Sequence, residues 1–279
     1  MSTLPVGSVE LFHEVHGSGD PLLLVMGLAA DSTAWMLQVP EFSKHYRTIV
    51  FDNRGVGRSS KPPGPYSIAG MADDAAGLLD ALDVPRAHVV GISMGGMIAQ
   101  ELALRHPERV RGLVLACTYA EQLPEMVARQ SESLAELGGT LGPDGEVTID
   151  PATLDPMRLF QHLMPLVFSP TFLAEQLPLL MQLFSGALQW GFSVDAILAQ
   201  ARACREHRTL DRLHRIAAPT LVITGDADLL IPPAHSDVLA ERIPDARLVK
   251  LPGGSHGFNF EQAEAFNREV LRFLSAAAG

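Results

Sequence analysis

Short runs of consecutive apolar residues recur through the first 116 positions and again after position 218, with stretches of helical apolar spacing between them. Val9–Val15 alternates as a half-buried strand would. Pro21–Met26, Thr48–Phe51, Ala87–Gly91 and Arg111–Ala116 are instead apolar almost throughout, and so are Pro219–Gly225 and, less strictly, Arg247–Leu251. Strands without alternation belong to a sheet covered on both faces. Between them the spacing predicts helices over Ile68–Leu82, Met94–His106 (stopped by Pro107), His235–Arg242 and Glu261–Ala276. Strand–helix alternation of this kind implies a parallel sheet with right-handed crossovers.

The alternation stops near position 118. From about Tyr119 to Arg215 no strand is predicted. A glycine-rich loop, Gly138–Gly145, is followed by helical stretches dense in Leu, Met and Phe: Met157–Phe168, Phe172–Phe184 and Val194–Arg205. The simplest organisation is an α/β core, residues 1–118 and 216–279, interrupted by a helical insertion over 119–215. Such an insertion would lie over the carboxyl ends of the strands, where open α/β sheets bind ligands.

Composition narrows the partners. The chain has 279 residues, 47% of them hydrophobic, and a formal net charge of −11. No basic cluster offsets that charge, which argues against nucleic acid. No apolar run approaches the roughly 20 residues of a membrane span. The N-terminal residues lack the charged start and apolar stretch of a signal peptide. Two cysteines, Cys117 and Cys204, suit a reducing compartment and packing roles. The expectation is therefore a cytoplasmic protein acting on a small molecule, with a homodimer left open.

The chemistry centres on Gly91-Ile92-Ser93-Met94-Gly95, set between an apolar strand and a helix. A serine on so tight a turn is forced into a strained backbone, its hydroxyl clear of the sheet, and glycine is needed two residues to either side. The helix behind it favours negative charge at its N-terminus. A serine hydroxyl becomes nucleophilic only when a base removes its proton and a carboxylate orients that base. Asp226 and Asp228 follow the strand ending at Gly225, and His256 follows the one ending at Leu251. Most of the ten histidines must be bystanders. His13, His16, His45, His106, His207 and His214 read as exposed, His88 as a packing residue and His235 as a surface residue. None has metal-site spacing, so neither metal nor cofactor is expected.

Four segments carry a resemblance to the α/β-hydrolase superfamily, specifically to its compact capped members with esterase-type activity. They are Leu24–Leu28, Phe51–Ser59, Gly91–Gly96, and Gly225–Asp228 paired with Gly253–His256. The resemblance implies a mostly parallel eight-stranded sheet flanked by helices, with a helical cap inserted after strand 6. It makes Ser93 the nucleophile, His256 the general base and acid, and Asp228 the orienting carboxylate in preference to Asp226. It places an oxyanion hole at the backbone N–H groups of Leu28 and Met94. The family commonly reads His-Gly-x at that loop, where this chain has Met26-Gly27-Leu28. The Asp52–Ser59 turn reads as scaffold. Pocket candidates are Gly27, Met94 and Phe258 beside these residues, and His162 and Trp190 in the insertion. Leu163, Met164, Leu179, Leu180, Met181, Phe184 and Phe192 are mostly assigned to packing. The implied activity is hydrolysis of carboxylic esters with small to medium apolar groups. A lactonase, a C–C bond hydrolase, a cofactor-free perhydrolase and a non-catalytic ligand-binding receptor are the alternatives. Relatives that use aspartate where Ser93 stands are excluded.

Overall fold

Leu22 and Leu24 of one strand point into one apolar core and Leu23 and Val25 into another. Val89 and Val90, Leu113 and Val114, and Val222 and Ile223 divide in the same way. A sheet with a core on each face leaves no side for polar residues, which is why these strands do not alternate. The computed structural model describes residues 2–141 and 147–277. The first six strands are β1 (Ser2–Val6), β2 (Val9–His16), β3 (Pro21–Val25), β4 (Arg47–Phe51), β5 (Ala87–Ile92) and β6 (Val110–Ala116). A small hairpin, β7 (Thr140–Leu141) and β8 (Val147–Thr148), precedes the last two, β9 (Thr220–Gly225) and β10 (Ala246–Leu251). The main sheet has eight strands in the order β1-β2-β4-β3-β5-β6-β9-β10. β2 pairs antiparallel with β1 and β4, and all other neighbours are parallel.

Helices α2 (Ile68–Ala81) and α3 (Met94–Arg105) cover one face through residues such as Met71, Leu78, Ile98 and Leu102. The short α1 (Val39–Phe42) and the C-terminal helix cover the other through Phe42, Phe266, Val270 and Leu274. Between β6 and β9 lie α4 (Pro124–Glu136), α5 (Pro156–Val167), α6 (Pro170–Gln189) and α7 (Val194–Glu206). Their starts are written locally. Asp155 and Ser169 each accept a backbone N–H of the first turn and precede a proline at the first helical position. α8 (Ala234–Arg242) joins β9 to β10, and α9 (Phe258–Glu261) and α10 (Ala263–Ala276) finish the chain.

The differences from the sequence reading are local. β1 is an additional edge strand, and α4 an additional helix. The small hairpin stands where the glycine-rich loop was expected, and residues 142–146 of that loop lie outside the described residues. The expected final helix begins two residues later, as α10, and the short α9 before it is additional.

The tightest packing lies where β5 turns into α3. A methyl group at Gly95 would collide with the Val25 carbonyl, and one at Gly91 with the Gly95 carbonyl. Neither obstacle is a flexible side chain. Gly95→Ala is expected to cost about 3 kcal/mol in urea unfolding. Gly186→Ala, in α6 with nothing within 4 Å of the added carbon, is expected to be neutral or slightly stabilising.

Candidate active site

Ser93 links β5 to α3 with φ of +56°, a left-handed conformation that a serine adopts only when its surroundings hold it there. Its N–H donates to the Ala116 carbonyl at 2.9 Å, and its carbonyl accepts the Thr118 hydroxyl at 2.8 Å and the Gly96 N–H at 2.9 Å. These bonds pin the turn to the end of β6. The side chain is partly exposed and faces a cavity of about 850 Å³. Gly27 lies against it: a carbon added there would sit 3.1 Å from Ser93 Cβ. Among the described residues no hydrogen bond engages the N–H groups of Leu28, next in the chain to Gly27, or of Met94, next to Ser93.

His256 lines the same cavity. Its loop is held on two sides, by Ala227 N–H donating to the Gly254 carbonyl at 3.0 Å and Gly257 N–H to the Val167 carbonyl at 2.7 Å. Nδ1 of His256 lies 2.8 Å from Oδ2 of Asp228. The other Asp228 oxygen accepts the N–H groups of Leu230 at 2.9 Å and Ile231 at 2.8 Å. This carboxylate is fixed by three bonds and keeps the imidazole from rotating. Asp226 points elsewhere and accepts the Gly253 N–H at 2.6 Å. Burial by itself would lower the His256 pKa, but the Asp228 charge beside it prevails and holds it well above 6.5.

Behind the pair lies Cys117, fully buried, with φ of +38°. Its thiol donates to the His256 carbonyl at 3.6 Å, and burial pushes its pKa up so that it remains a thiol. Cys117, Asp228 and His256 are the group among the described residues whose metal-ligand atoms converge, all within 4.8 Å of one another. Two of those atoms are already hydrogen-bonded together.

In the supporting turn Asp52 and Arg54 hold different partners. Asp52, fully buried, accepts the N–H groups of Ser32 and Arg58, each at 2.8 Å. Arg54 instead makes a bidentate pair with Asp74. Gln200 of α7, also fully buried, was not expected to matter. It accepts the Ala29 N–H at 3.0 Å and donates to the Arg54 carbonyl at 2.7 Å. It thereby ties the loop carrying Gly27 and Leu28 to the Asp52–Ser59 turn.

Of the pocket candidates, Gly27 and His162 line the cavity, whereas Phe258, Trp190 and the Met94 side chain do not. Phe258 turns into the core against Phe266, and Phe260, two residues on, takes the place at the wall. The Met94 side chain is buried beneath α3, leaving only its N–H toward Ser93. Trp190 is 43% exposed and lies 5.2 Å from the Arg58 guanidinium, which in turn covers Phe12 at 3.5 Å. Lys61 donates to the Trp190 carbonyl at 3.1 Å and completes this clasp. Conversely, Leu163, Met164, Leu180, Phe184 and Phe192, mostly assigned to packing, do line the cavity. His13, His207 and His235 are buried instead of exposed. Burial takes the His207 pKa down to about 3, and His235 accepts the Leu123 N–H at 3.3 Å.

A family model described as alpha/beta hydrolase fold matches residues 20–148. A relative from Azorhizobium caulinodans, provisionally named carbamate hydrolase RutD, is 32% identical over 267 residues, 96% of either chain. The crystal structure of the enol-lactonase from Burkholderia xenovorans is 28% identical with a TM-score of 0.84, covering 98% of this chain and all of that one (100%). A thermophilic esterase from Thermogutta terrifontis is 26% identical with a TM-score of 0.82, covering 99% of this chain and 98% of that one.

In an NMR titration the His256 imidazole is expected to have its midpoint above 6.5. Asp228→Asn keeps the shape and removes the charge, so burial then acts unopposed and the midpoint should fall. A midpoint unmoved by that substitution would contradict the electrostatic account.

Proposed function

The chain belongs to the α/β-hydrolase family, and from that premise we propose that it hydrolyses carboxylic esters of small to medium apolar substrates through an acyl-enzyme. The observation that carries this reading is the left-handed Ser93 and the Asp228-anchored His256 facing one largely apolar cavity. The helices of residues 119–215 act in it as a cap, which the cavity-lining residues of α4 to α7 support.

His256 takes the hydroxyl proton as Ser93 Oγ attacks the ester carbonyl. The carbonyl oxygen becomes an anion, and the N–H groups of Leu28 and Met94 receive it, helped by the N-terminal end of α3. Asp228 stabilises the imidazolium and fixes the tautomer. The tetrahedral species collapses as His256 returns the proton to the leaving alcohol. Water then enters, gives a proton to His256 and attacks the acyl group, and the second collapse restores Ser93. No cofactor takes part in this route.

The relative's carbamate and the neighbour's enol-lactone are also acyl compounds that such a triad can open. Cavity size favours a bulkier apolar ester here, since a simple carbamate of a few heavy atoms would leave most of about 850 Å³ unfilled. Ser93→Ala is expected to lower turnover of p-nitrophenyl butyrate by about 10⁶-fold and to abolish any burst of p-nitrophenol. Turnover within a few-fold of the native protein would refute the assignment.

A further inference from the structure

Two polar side chains in the helical wall of the cavity have no part in the proposed ester chemistry. Ser133 of α4 and His162 of α5 line the cavity, with Oγ and Nε2 2.6 Å apart. They belong to a polar stretch of the wall, with Arg129, Glu132 and Glu136 of α4 and Gln161 of α5, whereas most of the lining farther along α5 and α6 is Leu, Met and Phe. The Glu136 carboxylate, three residues along α4 from Ser133, lies 3.8 Å from Nδ1 of His162. It favours the proton on Nδ1, leaving Nε2 to accept from the Ser133 hydroxyl. The remaining lone pairs of Ser133 Oγ are then free to accept a hydrogen bond from a guest. Glu132 and Arg129, also on this wall, carry opposite charges, so the location offers an acceptor more than a field of one sign.

Serine, histidine and carboxylate here follow one another in the order of a nucleophilic triad, but the carboxylate is beyond hydrogen-bond reach at 3.8 Å and the backbone forbids that use. Ser133 sits within a regular helix, its carbonyl accepting the Leu137 N–H, and helical bonding occupies the amides that would have to hold an oxyanion. The arrangement suits recognition.

We infer that Ser133 and His162 form a hydrogen-bonding station that recognises a hydroxyl at the far end of the substrate, so that esters of hydroxylated chains are preferred over plain alkyl ones. A hydroxyl costs less to bring into an apolar cavity than a charged group, and an acceptor held in place discriminates against the analogue that lacks the donor. The inference rests on the ester reading above and names its substrate class.

The test compares kcat/KM within matched pairs. p-Nitrophenyl ω-hydroxyalkanoates are set against the plain alkanoates, from butanoate to decanoate, which puts the hydroxyl on the acyl side. Monoacetates of α,ω-diols are set against alkyl acetates, which puts it on the alcohol side. In the native protein the hydroxylated member of at least one pair is expected to lead by about fivefold, mainly through KM. Ser133→Ala and His162→Phe, each checked for folding by thermal melting, are expected to erase that lead. No lead in any pair, or one that survives both substitutions, overturns the inference. A purely structural role would slow both members in proportion and leave the ratio intact, which also overturns it. Absence of Ser93-dependent turnover of the plain esters would instead overturn the ester reading itself.

Discussion

At the junction of β5 and α3 three pieces of backbone come closer than any side chain allows. Gly95 lies against the Val25 carbonyl, Gly91 against Gly95, and Ser93 between them is held at positive φ. The strain in one residue, of order 1–3 kcal/mol, persists because its surroundings over-determine it. Bonds from Ser93 to Ala116 and Thr118 bring in the end of β6, and Val25 brings in β3. The strands that form this junction are central in the sheet and buried on both faces. The hydrophobic cores therefore do more than stabilise the chain: they supply the stiffness that keeps one hydroxyl turned outward.

The same logic extends to the second half of the site. Asp228 and His256 come from loops after β9 and β10, adjacent parallel strands whose pairing sets the two loops side by side. Asp228 is fully bonded before any substrate arrives, so its charge acts on His256 with little rearrangement. Gln200 connects the loop carrying Gly27 and Leu28 to a neighbouring turn from above, through a side chain with no exposure. α7 is thus joined to these loops by a polar contact as well as by apolar packing.

The core strands and their helices were legible because a doubly covered sheet leaves a long, unmistakable apolar signature. β1 was not, since Ser2-Thr3-Leu4-Pro5-Val6 is short, polar at its start and contains a proline, as an edge strand can. α4 hid behind a mostly polar composition, because much of its surface faces solvent. At the site, residues with backbone constraints were readable: the glycines around Ser93, and the carboxylate and histidine at strand ends. Residues defined by direction were not. Phe258 adjoins His256's loop in sequence, but the short helix there sends it inward and Phe260 outward. Leu163 and Phe184 sit on apolar helical stripes, and a stripe over a cavity has the same spacing as one over a packed core. His207 and His235 looked exposed because nothing in their neighbours betrays burial, which tertiary contacts alone impose.

The helices between β6 and β9 leave the sheet from one strand and return on its hydrogen-bonded neighbour. Because those strands are parallel, the exit at Ala116 and the entry at Thr220 are offset along the sheet, but α4 to α7 hang from a narrow neck where the Thr209 N–H donates to the Ala120 carbonyl at 3.0 Å. Any polypeptide of similar or greater length can bridge so narrow a gap, and each doubling of the bridge adds only about 0.6 kcal/mol of closure entropy. The register of the sheet never senses what hangs between those points. This architecture permits the helices between β6 and β9 to be lengthened, shortened or replaced while the sheet and the loops at its strand ends stay as they are.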